Sequence, residues 1–167
     1  MSGFKLTEAQ MRSHFEMQEK AFGANVYTKF MLKYGRSYAP GPGTFTGGGE
    51  PKQCFANALH LALSNEDLTY CEGKVFIYGV AIDHAWCVDD DCNVYDPTLV
   101  DGDDGRIGGY YGMPFITEYV RKAAKKNKHY GVLDYFYAGK TAPDLFRLGL
   151  TVGQQEFLFP KKKRNAA

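Results

Sequence analysis

The chain has 167 residues, 44% hydrophobic and 23% charged, which suits one soluble globular domain with a sizeable core. A formal net charge of +1 excludes bulk attraction to nucleic acid or to an acidic membrane surface. No apolar run approaches the roughly 18 residues of a spanning helix, and Met1 to Glu8 lacks the apolar stretch of a secretion signal, so a cytoplasmic location is expected.

Thr7 and Gln10 have the spacing of a helix capping box. Helical periodicity then runs to about Tyr34, with Gly23 dividing it into two helices and Gly35 placed as a left-handed cap. Pro40-Gly41-Pro42-Gly43 and Gly47-Gly48-Gly49 sustain neither helix nor strand, which predicts a loop over 36–50. A helix is predicted from Pro51, because a first-turn proline lacks only an N–H that would be unpaired there. Phe55, Ala58, Leu59, Ala62 and Leu63 form its buried face, and Ser64-Asn65 stops it.

Lys74 to Ala81 reads as a strand, rich in β-branched and aromatic residues, and shorter strands are predicted over 83–88 and 92–96. Asp101 to Gly112 is polar and glycine-rich, hence a predicted loop. Pro114 is expected to open a helix through Phe115, Tyr119, Val120 and Ala123. Its end, Lys125-Lys126-Asn127-Lys128, complements the helix dipole. Val132 to Tyr137 reads as a further strand. Residues 1–160 form the predicted single domain, and 161–167 a basic, disordered tail. Neither basic run makes nucleic acid an expected partner.

The chemistry-bearing residues are Cys54, His84 and Asp96, a thiol, an imidazole and a carboxylate in that order. In an acylating cysteine site the His takes the thiol proton, the Asp orients the His, and the thiolate attacks a carbonyl. Cys54 lies near a predicted helix start, where partial positive charge favours the thiolate and free N–H groups can face an oxyanion. Gln53 is a second candidate donor to that oxyanion. An antiparallel hairpin with loop Asp89-Asp90-Asp91 would set His84 opposite Asp96, Trp86 opposite Val94 and Val88 opposite Cys92. All six would then share one largely apolar face. Trp86 is expected in the core, with cleft lining as the other option. Taken singly, Cys54 also fits a small buried hydrophobe, His84 a satisfied core histidine, and Asp96 a turn former before Pro97.

Gln53-Cys54-Phe55-Ala56, His84-Ala85-Trp86 and Asp96-Pro97-Thr98 together resemble the transglutaminase-like branch of the papain-like cysteine enzymes. The resemblance covers about residues 50–100. It implies an α+β fold with a papain/transglutaminase-like core, in which N-terminal helices and the nucleophile helix pack on a small antiparallel sheet. It further implies Cys54, His84 and Asp96 as the triad, with a protein or peptide amide as substrate. Transglutaminase, deamidase and protease chemistry all remain open at this point. So do the related arylamine N-acetyltransferases and NlpC-like amidases, and a non-catalytic peptide-binding module on the same scaffold. No cofactor is expected. Cys71, Cys87 and Cys92 lack the Cys-x2-Cys spacing of a zinc knuckle, and Asp101-Gly102-Asp103-Asp104-Gly105 lacks the terminal Glu of a calcium-binding hand. The cysteines are expected to be reduced.

Overall fold

Helix capping sets the first two elements of the computed structural model, which describes residues 5–100 and 105–133. Thr7 Oγ1 accepts the Gln10 N–H at 3.2 Å, and the Thr7 N–H donates to Gln10 Oε1 at 2.9 Å, opening α1 (Glu8–Phe22). Asn25 repeats the device at α2 (Val26–Tyr34), its Oδ1 accepting the Thr28 N–H at 2.9 Å. Gly23 does divide the two helices. Gly35, however, is extended (φ −67°, ψ 152°) rather than left-handed. A Cβ at Gly35 would lie 2.6 Å from both the Met31 carbonyl and the Tyr111 ring, so close packing is what favours glycine there.

Four helices and five strands are present among the described residues. After α2 come β1 (Arg36–Tyr38), α3 (Cys54–Ser64), β2 (Thr69–Ile77), β3 (Val80–Val88), β4 (Val94–Tyr95), β5 (Ile107–Phe115) and α4 (Thr117–Asn127). The strands form one curled antiparallel sheet in the order β1-β5-β2-β3-β4. The fold class is thus α+β, as expected.

Several boundaries differ from the sequence reading. The predicted 36–50 loop contains β1. The predicted strand 74–81 is the tip of a hairpin whose turn, Tyr78-Gly79, has φ of 49° and 81°. Such left-handed pairs match strand twist, but a Tyr in the first position hides the turn inside an apolar run. The predicted loop 101–112 supplies most of β5, and Pro114 and Phe115 belong to that strand, so α4 starts only at Thr117. Pro114 lies beyond the end of β1, where no strand needs the N–H it lacks. Pro51 and Lys52 form a turn before α3, which begins at Cys54. Ala58, Leu59 and Ala62 are buried as expected, whereas Phe55 is half-buried and Leu63 is exposed. Of the predicted strand 132–137, Val132 and Leu133 are buried and the remainder lies outside the described residues, as do 101–104 and the basic tail.

Strand alternation splits the core into two. Ala85, Cys87, Tyr111, Met113 and Phe115 face the helices and pack with Phe15, Met31, Ala58 and Leu59. Trp86, Val88, Val94, Tyr110, Cys71 and Val75 form the opposite face, which Phe45 and Leu99 of the loops help to cover. His84 belongs to this second face by its strand parity.

A row of glycines makes room for it. Gly112 pairs with Gly73, and Gly73 with His84. A Cβ on Gly112 would clash with the Glu72 carbonyl and sit 2.6 Å from the Trp86 ring. Gly112→Ala is therefore expected to destabilise the fold by about 1–3 kcal/mol through overpacking. Urea unfolding measures this, and an unchanged midpoint would mean that the Trp86 ring relaxes freely.

Candidate active site

His84 reaches the second face from β3, and Asp96 from the position just after β4. Their contact survives a register that differs from the one anticipated. Val88 pairs with Val94 and Cys87 with Tyr95, two residues out from the predicted alignment. The hairpin loop is Asp89 to Asn93, and Cys92 is an exposed loop residue with φ 65° rather than a partner of Val88. Asp89 organises the longer loop: its Oδ1 accepts the Asp91 and Asn93 N–H groups at 3.0 and 2.8 Å. A shift of two preserves side-chain parity, so His84, Trp86, Val88, Val94 and Asp96 still share a face. His84 Nε2 lies 2.7 Å from Asp96 Oδ2 across the diagonal.

Asp96 is fully buried and fully engaged. Its Oδ2 contacts His84 and accepts the Tyr110 hydroxyl at 2.9 Å, while Oδ1 accepts the N–H groups of Thr98 and Leu99, both at 2.9 Å. The backbone is fixed as well, since the Asp96 N–H donates to Thr44 and its carbonyl accepts from Thr46 N–H at 3.0 Å. Burial raises the carboxyl pKa, but the bond and charge of His84 and the two backbone N–H groups outweigh it and leave the carboxyl below its ordinary value. For His84, burial lowers the pKa, yet hydrogen bonds to Asp96 and to Cys54 prevail and raise it from 6.5 to about 9.

The third residue adjoins the site. Cys54 is half-buried at the first position of α3, and its thiol lies near enough to the His84 ring to help raise the imidazole pKa. Because Nε2 is held by Asp96, Nδ1 is the ring nitrogen left for the thiol. Asn57, one turn further along α3, ties this helix start to the Asp96 segment. Its Nδ2 donates to Thr98 Oγ1 at 2.9 Å and to the Glu50 carbonyl at 2.8 Å. The Gly49 N–H adds a bond to the Pro97 carbonyl at 2.9 Å. The start of α3 and the carboxylate are thereby clasped together independently of His84.

Gln53 is the exposed N-cap residue of α3, with no side-chain cap bond. The Cys54 N–H has no hydrogen-bond partner among the described residues. Trp86 is a core residue with no exposed surface. Its ring lies 15° from the plane of His84 with centroids 6.5 Å apart, and 5.0 Å from Tyr110. Its role is to back the His84 ring, not to line a cleft. Tyr110 is the contributor that sequence reasoning missed, because it fell within the predicted loop.

The other thiols are differently placed. Cys71 is buried and its pKa raised well above normal by that burial. Burial likewise pushes Cys87 up to about 12, and its Sγ donates to the Ala58 carbonyl at 3.1 Å. All four cysteines are unpaired. Among the described residues no group of three His, Cys, Asp or Glu side chains is arranged to hold a metal, and no helix is long and apolar enough to cross a membrane. Comparison of the chain with family models, curated proteins and solved structures gave no match.

Proposed function

We propose that the protein is a thiol-dependent acyltransferase or hydrolase acting on amides of proteins or peptides, built on a papain-like, transglutaminase-like core. The observation that carries this reading is the continuous chain from a buried, four-bonded Asp96 through His84 to the half-buried Cys54 thiol. A purely structural histidine does not require a half-buried thiol at a helix start on its other nitrogen.

In the proposed reaction the proton of the Cys54 thiol already rests on His84 Nδ1 before the attack, as a thiolate–imidazolium pair in keeping with the raised His84 pKa. The sulfur attacks the amide carbon, and the carbonyl becomes a tetrahedral oxyanion. The free Cys54 N–H faces that charge, and the Gln53 amide stands beside it as a second donor. Imidazolium His84 then protonates the departing amine, leaving a thioester on Cys54. Water or a second amine, deprotonated by neutral His84, attacks the thioester and releases acid or new amide. Asp96 fixes the ring and offsets its positive charge throughout. Tyr110 and the Thr98 and Leu99 N–H groups keep the carboxylate ionised and oriented.

A peptide substrate fits the surroundings. β4 covers only Cys87 and Val88 of β3. The outward N–H and C=O groups of Ala81 and Asp83 therefore have no partner among the described residues. Such an open edge, leading to His84 with Val80 and Ile82 exposed beside it, can receive an extended backbone.

Limiting iodoacetamide near neutral pH, read by mass spectrometry, tests the reading against an internal standard. Cys92 is exposed and has no imidazole bond, so Cys54 is expected to alkylate faster than Cys92 despite lower exposure, with Cys71 and Cys87 spared. In His84→Ala the Cys54 rate is expected to fall by on the order of 10²-fold while Cys92 is unchanged. Equal rates at Cys54 and Cys92 in the parent protein would sink the proposal.

A further inference from the structure

On the other side of the nucleophile helix, α3 and α4 enclose an open groove of about 380 Å³. Its floor is aliphatic: Leu59 is 3% exposed, and Ala124 of α4 faces it. Leu63 and Tyr130 rise from this floor and remain 46% and 40% exposed. Large apolar side chains left this open next to one another are uncommon unless something covers them.

The rim is cationic. Arg121, Lys125 and Lys128 line the groove, and no carboxylate does. Arg121 is already held by Glu118 at 2.7 Å, and Glu118 also approaches Lys122. Lys125 and Lys128 make no ion pair among the described residues. They occupy the last turn and the C-cap of α4, where they offset the helix dipole. Both stand in the lining of one groove. An occupant bringing carboxylates to the rim and apolar side chains to the floor satisfies both features together.

We propose that this groove binds an acidic amphipathic peptide segment of a partner protein. Its apolar side chains pack on Leu59, Leu63 and Ala124, and its carboxylates pair with Lys125 and Lys128. The volume holds a few side chains and not a folded domain, in keeping with an anchor-in-groove mode. Nucleic acid is a poorer fit, since the floor is aliphatic and Tyr130, the one large aromatic side chain of the lining, already meets His60 edge-on with centroids 5.8 Å apart. An anionic lipid surface favours a protruding apolar face, whereas the buried Leu59 here floors a groove. The proposal does not depend on the chemistry at Cys54.

The probe is a fluorescein-labelled peptide of about 14 residues with Leu spaced i, i+3 and i+7 and Glu at flanking positions, titrated into the whole protein and read by anisotropy. Binding is expected to weaken by about tenfold or more in Lys125→Glu/Lys128→Glu, and by a similar factor when Ser replaces Leu in the peptide. Cys54 alkylation should be unchanged in that variant, which shows that it is folded. Equal affinity of the parent and charge-reversed proteins, or of the Leu and Ser peptides, overturns the proposal. So does displacement of the peptide by polyuridine or phosphatidylserine vesicles at equal or lower concentration, because the groove would then be a general anion surface.

Discussion

Asp96→Ala is expected to lower folding stability by about 3–5 kcal/mol and to bring Cys54 alkylation down to the level of His84→Ala. Both effects come from the same geometry. The carboxylate accepts four hydrogen bonds inside the protein, and alanine leaves the Tyr110 hydroxyl, two backbone N–H groups and the His84 ring to find new partners. His84 is 4% exposed, so water is a poor substitute, and its protonated form becomes an uncompensated buried charge. Asp96→Asn separates the two effects. Its Oδ1 can still accept from Thr98 and Leu99, so most of the stability is retained, while the charge that holds the imidazolium is lost. Urea unfolding and alkylation on the three proteins provide the check. Wild-type alkylation in Asp96→Asn would remove Asp96 from the proposed chemistry and leave it as a structural carboxylate.

Asp89-Asp90-Asp91 has the length of a short turn, so the sequence points to a hairpin register two residues away from the one formed. The Asp89 side chain instead gathers the Asp91 and Asn93 N–H groups and lengthens the loop. Since side chains alternate with period two, an error of two keeps every residue on its face, and the long imidazole reaches Asp96 diagonally. An error of one would have sent His84 into the helix-facing core. Local rules served the helices well for a related reason: Thr7 and Asn25 cap through contacts a few residues away.

β5 was not legible, because what makes it a strand is distant. Gly112 is needed for the approach of Glu72 and Trp86, and Pro114 is tolerated only because β1 has already ended. With β5 went Tyr110, and with Tyr110 the fourth ligand of Asp96. The Asn57 clasp likewise joins residues far apart in the chain, so its composition alone suggests only a polar helix position.

Raising the pH through about 9 is the second large perturbation, because His84 loses its proton there. Its pKa in the folded protein lies above the ordinary 6.5. The stability it contributes is thus complete below pH 6.5, declines above it and is lost as the pH climbs through about 9. Asp96 has the opposite sign: its pKa is depressed, so its contribution is present above the ordinary 3.8 and lost as the pH falls through its lowered value. Turnover of an amide substrate should follow the His84 limb. Neutral imidazole cannot protonate the leaving amine, and the rate is expected to drop about tenfold per pH unit beyond the transition. The same transition should appear in a histidine NMR titration, where Asp96→Asn moves it down because burial then acts with less opposition. Cys54→Ala should move it down as well, since the thiol hydrogen bond is the second support. A His84 resonance that titrates near 6.5 in the parent protein, or that ignores the Cys54 substitution, would show that thiol and ring are not coupled in solution, and the acyl-transfer proposal would lose its base.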